Sequence, residues 1–526
     1  MPSLNWIGKE KIVNHDKDVP FRLLRKNKKY SLGKSENLIL EGDNLEALKA
    51  LMPFYYGKVK CIYIDPPYNT GNEKWVYNDK VNSPKIKEWF KKVVGPEGED
   101  LCRHDKWLCM MYPRLKLLYD LLREDGVIFI SIDDNEHCYL KQIMDIIFGP
   151  ENFVANIIWQ KKYTQSNDAK YFSTTHDFIL CFAKNTKSSN FKINLLSRTE
   201  EQDARYKNPD NDPRGSWMTQ PLHAKSGTDK GNEFTFSNGV KWRPPVGTFP
   251  RYSFETLRNA DQKKEIWFGK NGKAVPRLKK YLAEMKQGVI PKTIWMYGEV
   301  GSNDDAKREI KNIFFNNPFS TPKPISLLKT IFQIGSQQGD IILDSFAGSG
   351  TTAHAILDLN KDGGNRKFIL VEMEKNIAKN ITAERVKRVA QGYSYKTGAG
   401  KAVKVPGLGG GFEYVELGAP LFDKDGMINK AVSFEDMARY VYFTETRTNL
   451  EKKNIKGNYL GEFGGNHYFL LFNGIGKNVL NRNLLKVLKP HVGKKIIYAD
   501  KCLLDEDVLE KYQIVFKQIP YAVKIY

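Results

Sequence analysis

The residues best suited to chemistry form one short run, Asp65-Pro66-Pro67-Tyr68, after the apolar segment Cys61 to Ile64. That segment predicts a buried strand, whose end is where open α/β sheets bind ligands. The prolines restrict the backbone, so a carboxylate, a free carbonyl and a ring are held side by side. The two oxygens can accept from an NH2 group while the ring stacks on its heterocycle. The alternative is a proline-rich turn with a capping aspartate.

A second run, residues 344–352, follows another predicted strand and is rich in small residues (Asp344-Ser345-Phe346-Ala347-Gly348-Ser349-Gly350-Thr351-Thr352). Small residues at such a turn let backbone amides approach a ligand in front of the next helix. Glu372 ends the following predicted strand, a position suited to holding ribose hydroxyls. The turn lacks the glycine pattern of dinucleotide enzymes and the Gly-Lys-Ser/Thr of triphosphate sites. A nucleoside without a long phosphate tail is therefore predicted.

The elements that must position these runs alternate between strand and helix. Strands are predicted at 38–40, 61–64, 127–132, 341–343 and 367–371, and helices at 44–51, 105–123, 136–148 and 353–359. Asp43 falls at a strand-to-helix corner, as a ligand contact or as a helix N-cap. A loop at 69–99 with Trp75, Tyr77 and Trp89 is predicted to face the substrate. This order predicts an α/β fold with a doubly wound, mostly parallel sheet.

Changes in composition divide the chain into six predicted segments. Residues 1–36 are read as a polar extension, 37–154 as the catalytic half of the sheet domain, and 321–390 as the half that binds a cofactor. Residues 155–320 form an insert, 391–411 a glycine-rich linker or hairpin, and 412–526 a smaller α+β domain for assembly or partner contact.

The insert carries 28 Lys or Arg against 17 Asp or Glu, which is +11 of the chain's formal +21. Basic residues interleaved with aromatic ones favour nucleic-acid binding, although any single tryptophan in the insert is more simply explained as core. The aromatic residues are Trp159, Tyr163, Trp217, Trp242, Trp267 and Trp295. The candidate DNA contacts are Lys161, Lys162, Arg214, Trp217, Lys241 and Arg243.

The whole chain is long and basic, which limits the classes of function. Its 526 residues favour two or three domains, and the positive charge favours a polyanionic partner. Without a long apolar stretch or a signal peptide, a cytoplasmic protein with no membrane partner is expected. The cysteines show no paired spacing, and Cys102, His104 and Cys109 match no zinc pattern, so no metal is predicted.

With both runs in place, the chain resembles the β-class of amino-group DNA methyltransferases, and within it the modification subunits of type III restriction systems. The resemblance rests on the motifs at 65–71 and 346–352, in that order, with the basic insert between them. Supporting matches are Glu41-Gly42-Asp43-Asn44, Thr321-Pro322-Lys323-Pro324, Glu372 and the tail Phe516 to Tyr521. It covers residues 5–400 best and implies the S-adenosylmethionine-dependent methyltransferase fold.

The resemblance also implies roles. Asp65 and the Pro66 carbonyl would hold the target amine, Pro67 would stiffen the turn, and Tyr68 would stack on a base rotated out of the duplex. The S-adenosylmethionine site would comprise Asp43, Lys323, Asp344, Phe346, Ala347, Gly348, Ser349, Gly350, Thr351 and Glu372. An Asp at position 65 leans toward adenine N6 over cytosine N4.

The implied partners are double-stranded DNA, a second copy of the chain, and a helicase and nuclease restriction subunit. Three alternatives remain open. They are a solitary or type II enzyme of the same class, methylation of RNA or of a glutamine amide, and a non-catalytic nucleic-acid-binding module with the same fold.

Overall fold

The computed structural model describes residues 4–70, 88, 103–227, 233–285, 288–361, 363–398, 400–474, 476–488 and 491–519. Gly71, Trp75, Tyr77, Trp89, Cys102 and Pro520-Tyr521 lie outside these ranges. The chain divides into two compact units. The larger comprises 1–194 and 292–526, and the smaller comprises Leu195–Pro291.

A ten-stranded sheet forms the centre of the larger unit. In chain order its strands are β1 (Arg22–Lys26), β2 (Leu38–Glu41), β3 (Val59–Ile64), β4 (Leu122–Ile132), β5 (Phe153–Gln160), β6 (His176–Ala183), β7 (Ile294–Trp295), β8 (Ile341–Asp344), β9 (Lys367–Glu372) and β10 (Glu413–Pro420). Their order across the sheet is β1-β10-β2-β9-β8-β3-β4-β6-β5-β7. The six strands from β10 to β4 run parallel, while β1 and β6 lie antiparallel to their neighbours.

The parallel strands at the centre are mainly apolar and buried because helices cover both faces of such a sheet. All six residues of β3 are buried, as are residues 127–132 of β4. Strand β3 connects onward to β4 on one side, and β8 connects onward to β9 on the other. The adjacent strands β3 and β8 therefore form the topological switch point, and a crevice for ligands is expected outside their carboxyl ends.

The larger unit's longer helices are amphipathic or fully buried, and most of them follow a strand of the sheet. They span Asn44–Tyr55, Arg103–Leu121, His137–Phe148, Asn303–Phe314, Ile325–Gly335, Thr351–Asn360, Ala383–Gln391 and Phe434–Thr446. Short helices occupy Lys9–Ile12, His15–Asp18 and Tyr297–Val300. None of the described helices combines the length and the apolar character that crossing a membrane requires.

The predicted strand and helix order is confirmed, but the first 36 residues are more than a polar extension. Trp6, Ile12 and Val19 are buried in the core of the larger unit. The basic run that begins at Arg22 forms β1, which pairs with β10. The sequence did not predict this packing, because the apolar residues of this segment occur singly among charged ones and show no helical or strand periodicity.

The smaller unit, Leu195–Pro291, covers fewer residues than the predicted insert at 155–320. Strands β5, β6 and β7 belong to the main sheet, because their apolar residues extend it beyond β4. The smaller unit contains short strands and the helix Phe254–Gln262, around a core of Phe234, Phe236, Trp242 and Leu257. Its strands are Trp217–Pro221, His223–Ala224, Phe234–Thr235, Lys241–Trp242, Phe249–Pro250, Ile266–Trp267 and Arg277–Tyr281.

The segment at 391–411 is a hairpin of Gly392–Lys396 and Ala402–Pro406. Beyond β10, a four-stranded sheet forms in the order Tyr459–Phe463, Asn466–Leu470, Lys494–Ala499, Ile514–Gln518. Its first pair is antiparallel and the others are parallel. Short strands at Val479–Leu480 and Lys501–Cys502 and the helix Glu506–Lys511 accompany it. The chain from 412 onward thus contains both helices and strands, but it belongs to the larger unit and its first strand, β10, is part of the main sheet.

Candidate active site

A cavity of about 220 Å³ lies at the carboxyl ends of β3 and β8, the switch point of the sheet. Two sets of predicted site residues line it together, although about 280 residues of sequence separate them. From the first set these are Asp65, Pro66, Pro67 and Tyr68, and from the second they are Lys323, Asp344, Phe346, Ala347, Gly348, Ser349 and Thr351. Tyr63, Asp133, Lys161, Asp177, Phe319 and Thr352 complete much of the wall.

Asp65 uses its two carboxylate oxygens differently. Lys323 Nζ forms an ion pair with Oδ2, and the same ammonium lies 5.2 Å from the centre of the Tyr68 ring. Within the described residues, no donor lies in hydrogen-bond geometry to the buried Oδ1, and the neighbouring Tyr68 hydroxyl interacts with the same carboxylate. A buried acceptor without a donor is costly, so it marks a place where a ligand N–H group would be stabilised.

Hydrogen bonds hold the loop that carries Asp65 in place. Their partners are residues of the helix Arg103–Leu121 and Glu136, which precedes the helix His137–Phe148. Trp107 Nε1 donates to the Pro67 carbonyl at 2.7 Å. Asn69 has a left-handed backbone with φ +57°, and its amide donates to Glu136 and to the Arg103 carbonyl. Burial raises the pKa of the fully buried Glu136 carboxyl. These contacts hold the loop rigid without occupying the Asp65 Oδ1 acceptor.

The turn after β8 is organised by Asp344. Its carboxylate accepts from Phe346 N at 3.0 Å and from Thr352 Oγ1 at 2.6 Å. Burial raises the pKa of Asp344 to about 7, although both hydrogen bonds favour the ionised form. The carboxyl group therefore joins the strand end to the helix that begins at Thr351.

The turn's backbone amides are mostly committed within the protein. Ala347 N donates to the Val371 carbonyl at 3.0 Å, and Gly348 N donates to Glu372 Oε2 at 2.9 Å. The expectation that these two amides face a ligand is therefore corrected, because a strand carbonyl and a carboxylate side chain accept their hydrogen bonds. What the turn offers is close approach. Gly348 has φ +49°, and a Cβ there would lie 2.9 Å from the Phe319 ring.

A buried arginine forms hydrogen bonds with side chains of the same turn. Arg385 is fully buried and donates to Thr351 Oγ1 at 2.7 Å and to Ser349 Oγ at 3.0 Å. Burial lowers its pKa to about 10, and Glu309 is its nearby countercharge. Sequence reasoning missed Arg385. The one feature of the sequence that could have indicated its burial is its place among the apolar positions of the helix Ala383–Gln391.

Three of the residues predicted to bind a cofactor do not line the cavity. Asp43 caps the helix Asn44–Tyr55 through Leu45 N and Glu46 N, and it pairs with buried Arg114 at 3.4 Å. Gly350 has φ +77° and forms the N-cap of the helix Thr351–Asn360. Glu372 accepts from Gly348 N and Glu374 N, one on each oxygen.

A second ion pair in the cavity wall was not predicted as a pair. Lys161 was a candidate DNA contact, and it bonds to Asp177 of β6, which is 3% exposed. Burial raises the pKa of Asp177 to about 6, while Lys161 and Lys323 act in the opposite direction. Four carboxyl groups and two ammonium groups thus line the cavity. Lys323 pairs with Asp65 and Lys161 pairs with Asp177, so the excess of acidic groups consists of Asp133 and Asp344.

The other candidate DNA contacts fall into two groups. Lys162, Lys241 and Arg243 are exposed, and Lys241 pairs with Glu233. Arg214 forms a two-pronged pair with Asp212, inside a network that includes Lys279. The expectation for Trp217 is corrected. Its ring is only 4% exposed and its Nε1 donates to Asp210, so no base can stack on it.

No group of three potential metal ligands occurs within the described ranges. Of the weighed zinc candidates, His104 Nδ1 lies 2.8 Å from Glu136 Oε1, and buried Cys109 contacts the Ile7 carbonyl at 3.4 Å.

The parallel sheet, its switch-point cavity and the two motifs define an α/β protein of methyltransferase type. The DNA methylase family of N6 and N4 methyltransferases matches residues 59–384. The chain belongs to this family, which confirms the resemblance.

Relatives include type III and type II proteins. The StyLTI Mod subunit of Salmonella typhimurium is 37% identical over 388 residues, which cover 70% of this chain and 56% of that protein. The EcoP15I Mod subunit of Escherichia coli is 31% identical, with 71% and 64% covered. The type II methyltransferase M.KpnI of Klebsiella pneumoniae is 31% identical, with 67% and 84% covered. The matched region thus spans between about half and two thirds of the two type III relatives.

Proposed function

We propose that the protein transfers a methyl group from S-adenosylmethionine to the N6 amine of adenine in duplex DNA, after the base has rotated out of the helix. The observation that carries this proposal is the buried Asp65 Oδ1 without a donor, in the same cavity as the Gly348 turn. Family membership and the type III and type II relatives support it.

The residues in the cavity fit this cofactor. S-adenosylmethionine, when bound, supplies a methyl group on a positively charged sulfur. Carboxyl groups outnumber ammonium groups by four to two in the wall, and this excess favours a cation there. Asp65 directly follows β3, and Asp344 ends the adjacent β8. Gly348 lets a ligand approach the turn closely, and Phe319 and Phe346 offer apolar surface for a flat group.

Asp65 has the central role in orienting the target. Its Oδ1 accepts one N–H of the amine and the Pro66 carbonyl accepts the other, which fixes the direction of the nitrogen lone pair. Lys323 holds Oδ2, so the carboxylate cannot rotate away from the amine. The amine nitrogen gains the methyl group as that group's bond to the cofactor sulfur breaks. The nitrogen then sheds one proton, which Asp65 can accept. Rate enhancement comes mainly from this orientation.

Tyr68 holds the base itself. Its ring lines the cavity beside Asp65, and Lys323 lies over one face at 5.2 Å. Burial, followed by the charge of Asp65, raises the pKa of Tyr68 well above its usual range, so the phenol stays neutral. A neutral ring can stack on a purine that has left the duplex.

The broader assignment is the modification subunit of a type III restriction system, acting as a dimer with a restriction subunit. The two Mod subunit relatives support this assignment. The type II relative M.KpnI, 84% of which is covered, supports the alternative of an enzyme without such a partner. Co-expression with the neighbouring gene product and gel filtration decides between them, because only the type III assignment predicts a stable complex.

The test of activity uses tritiated S-adenosylmethionine and mixed-sequence duplex DNA. Wild type should label the DNA, Asp65→Ala should not, and Asp425→Ala, which removes an exposed carboxylate in the C-terminal region, should behave as wild type. Sequencing of modified bases then reports N6-methyladenine or N4-methylcytosine together with the target sequence. Cofactor binding by calorimetry without any transfer would instead favour a non-catalytic module. Labelling of RNA or of protein, but not of DNA, would overturn the proposal.

A further inference from the structure

Residues 161–175, the aromatic loop, connect β5 to β6. Its base is closed, since Lys161 N and Lys162 N both donate to the Thr175 carbonyl, at 2.9 and 3.2 Å. Inside it, Ser166 N donates to Ser173 Oγ at 2.7 Å. The connection is thus a defined loop with a fixed base.

The outer part of the aromatic loop exposes two consecutive rings. Tyr171 is 81% exposed and Phe172 is 93% exposed, and Tyr163 nearer the base is 57% exposed. Scattered exposed apolar residues are ordinary, but adjacent rings that are almost entirely in water form a contact surface for a partner. Burial of either ring would be favourable by the hydrophobic effect alone.

The position of the aromatic loop connects it to the cavity. Strand β6 runs antiparallel to β4, with Phe178 opposite Ile132, so the loop lies at the edge where β3, β4 and β8 end. Lys161 at its base lines the cavity, as does Asp177 just beyond it. The exposed rings therefore project from the same edge at which the target base would enter.

The charge of the aromatic loop indicates what kind of partner it would bind. Lys161 is paired with Asp177, which leaves Lys162 and Lys170 against the single acid Asp168, and Lys170 Nζ lies 5.2 Å from the Tyr171 ring. Lysines flanking exposed rings fit a polyanion with stackable surfaces, because the ammonium groups contact phosphates while the rings contact bases.

We propose that Tyr171 and Phe172 enter the base stack of duplex DNA at the step that the target base vacates. This rests on the proposed function and adds the device that opens the duplex. Apolar side chains inserted at a base step unstack it, and a flipped base leaves such a gap to be filled. Lys162 and Lys170 contact the flanking phosphates.

The first experiment compares two duplexes that carry the target sequence found by modified-base sequencing. In one the target adenine is paired with thymine, and in the other it faces an abasic site, so that little opening work remains. Phe172→Ala and the double variant Tyr171→Ala/Phe172→Ala should lose about 10- to 100-fold in kcat/KM on the paired duplex. On the abasic duplex they should recover to within about threefold of wild type. Phe463→Ala, which truncates an exposed ring of the C-terminal region, is the matched control.

A second readout does not depend on methyl transfer. Permanganate oxidises unstacked thymines, so wild type and Phe463→Ala should create reactive thymines in bound DNA, whereas the double variant should not. Equal kcat/KM of variant and wild type on the paired duplex, an equal loss on both duplexes, or unchanged permanganate reactivity would each overturn the proposal. A change of oligomeric state in the double variant would also overturn it, since the rings would then belong to a contact between copies. Failure of the proposed function is a separate result, in which wild type opens DNA but transfers no methyl group.

Discussion

The substitution Asp344→Asn tests whether burial raises the pKa of the carboxyl group at the end of β8. The pKa of Asp344 is about 7 in the folded chain against an ordinary value of 3.8. Asparagine has nearly the same shape, can accept from Phe346 N through its oxygen, and can donate to Thr352 Oγ1. The substitution therefore removes the titration and keeps the packing.

The sign and the size of the effect follow from proton linkage. Above pH 3.8 the unfolded chain releases this proton, while the folded chain keeps it until about pH 7. The unfolded state thus binds fewer protons, and the free energy of unfolding falls as the pH rises through this window. Each pH unit inside it corresponds to about 1.4 kcal/mol, so wild type should lose about 3 kcal/mol between pH 5 and pH 8 that Asp344→Asn does not lose.

The assay is urea unfolding of both proteins at pH 5, 6, 7 and 8, monitored by circular dichroism. Comparison at each pH cancels the other titrating groups, and the exposed Asp425→Asn variant should follow wild type. A difference between wild type and Asp344→Asn that is constant over this range would refute the reasoning. The carboxylate would then be stabilised in the folded chain by its two donors as strongly as burial destabilises it.

Three further predictions concern residues that support the cavity. Glu136→Gln removes the buried carboxylate that holds Asn69, so kcat should fall about tenfold or more while calorimetry finds unchanged cofactor affinity. Arg385→Met removes the donors beneath the glycine turn and should cost about 3 kcal/mol of unfolding free energy, with weaker cofactor binding by calorimetry. Gly348→Ala places a Cβ against Phe319 at φ +49° and should weaken cofactor binding by about tenfold in titrations.

Each of these variants has a control elsewhere in the larger unit. Glu124→Gln changes an exposed carboxylate, and Arg388→Met changes a half-buried arginine three residues beyond Arg385. Gly57→Ala imposes a similar strain at φ +62° in open space. Unaltered kcat in Glu136→Gln, or a stability loss in Arg388→Met as large as in Arg385→Met, would contradict the assigned roles. So would a loss of affinity in Gly57→Ala equal to that in Gly348→Ala.

The sequence predicts the centre of the fold well, because the parallel strands are continuous apolar runs with helical repeats between them. The motif around Asp65 and the turn around Gly348 meet at one edge, as their positions after two strands predict. The roles assigned to the individual site residues stay predictions. Edge strands were harder to predict. Strand β1 has three Arg or Lys among its five residues and only Leu23 is fully buried, so its pattern resembles a solvated segment.

The supporting residues of the site could not be predicted, since their contacts join distant parts of the chain. Nothing local to Glu136 shows that it bonds to Asn69, 67 positions earlier. Lys323 was expected at the cofactor, yet its ammonium pairs with Asp65 across 258 positions. Trp217 illustrates the opposite difficulty, because an aromatic residue among lysines has the same local pattern in a core as at a surface.

The insertion of β8 between β3 and β9 has a consequence for synthesis of the protein on the ribosome. The β3 strand leaves the ribosome long before its partner β8, which begins at Ile341, and β10, which separates β1 from β2, ends only at Pro420. Contacts so distant in sequence close slowly, and a nascent chain would carry an unpaired apolar strand edge in the meantime. Chaperone dependence during translation is therefore expected to be greatest before residue 344 has emerged.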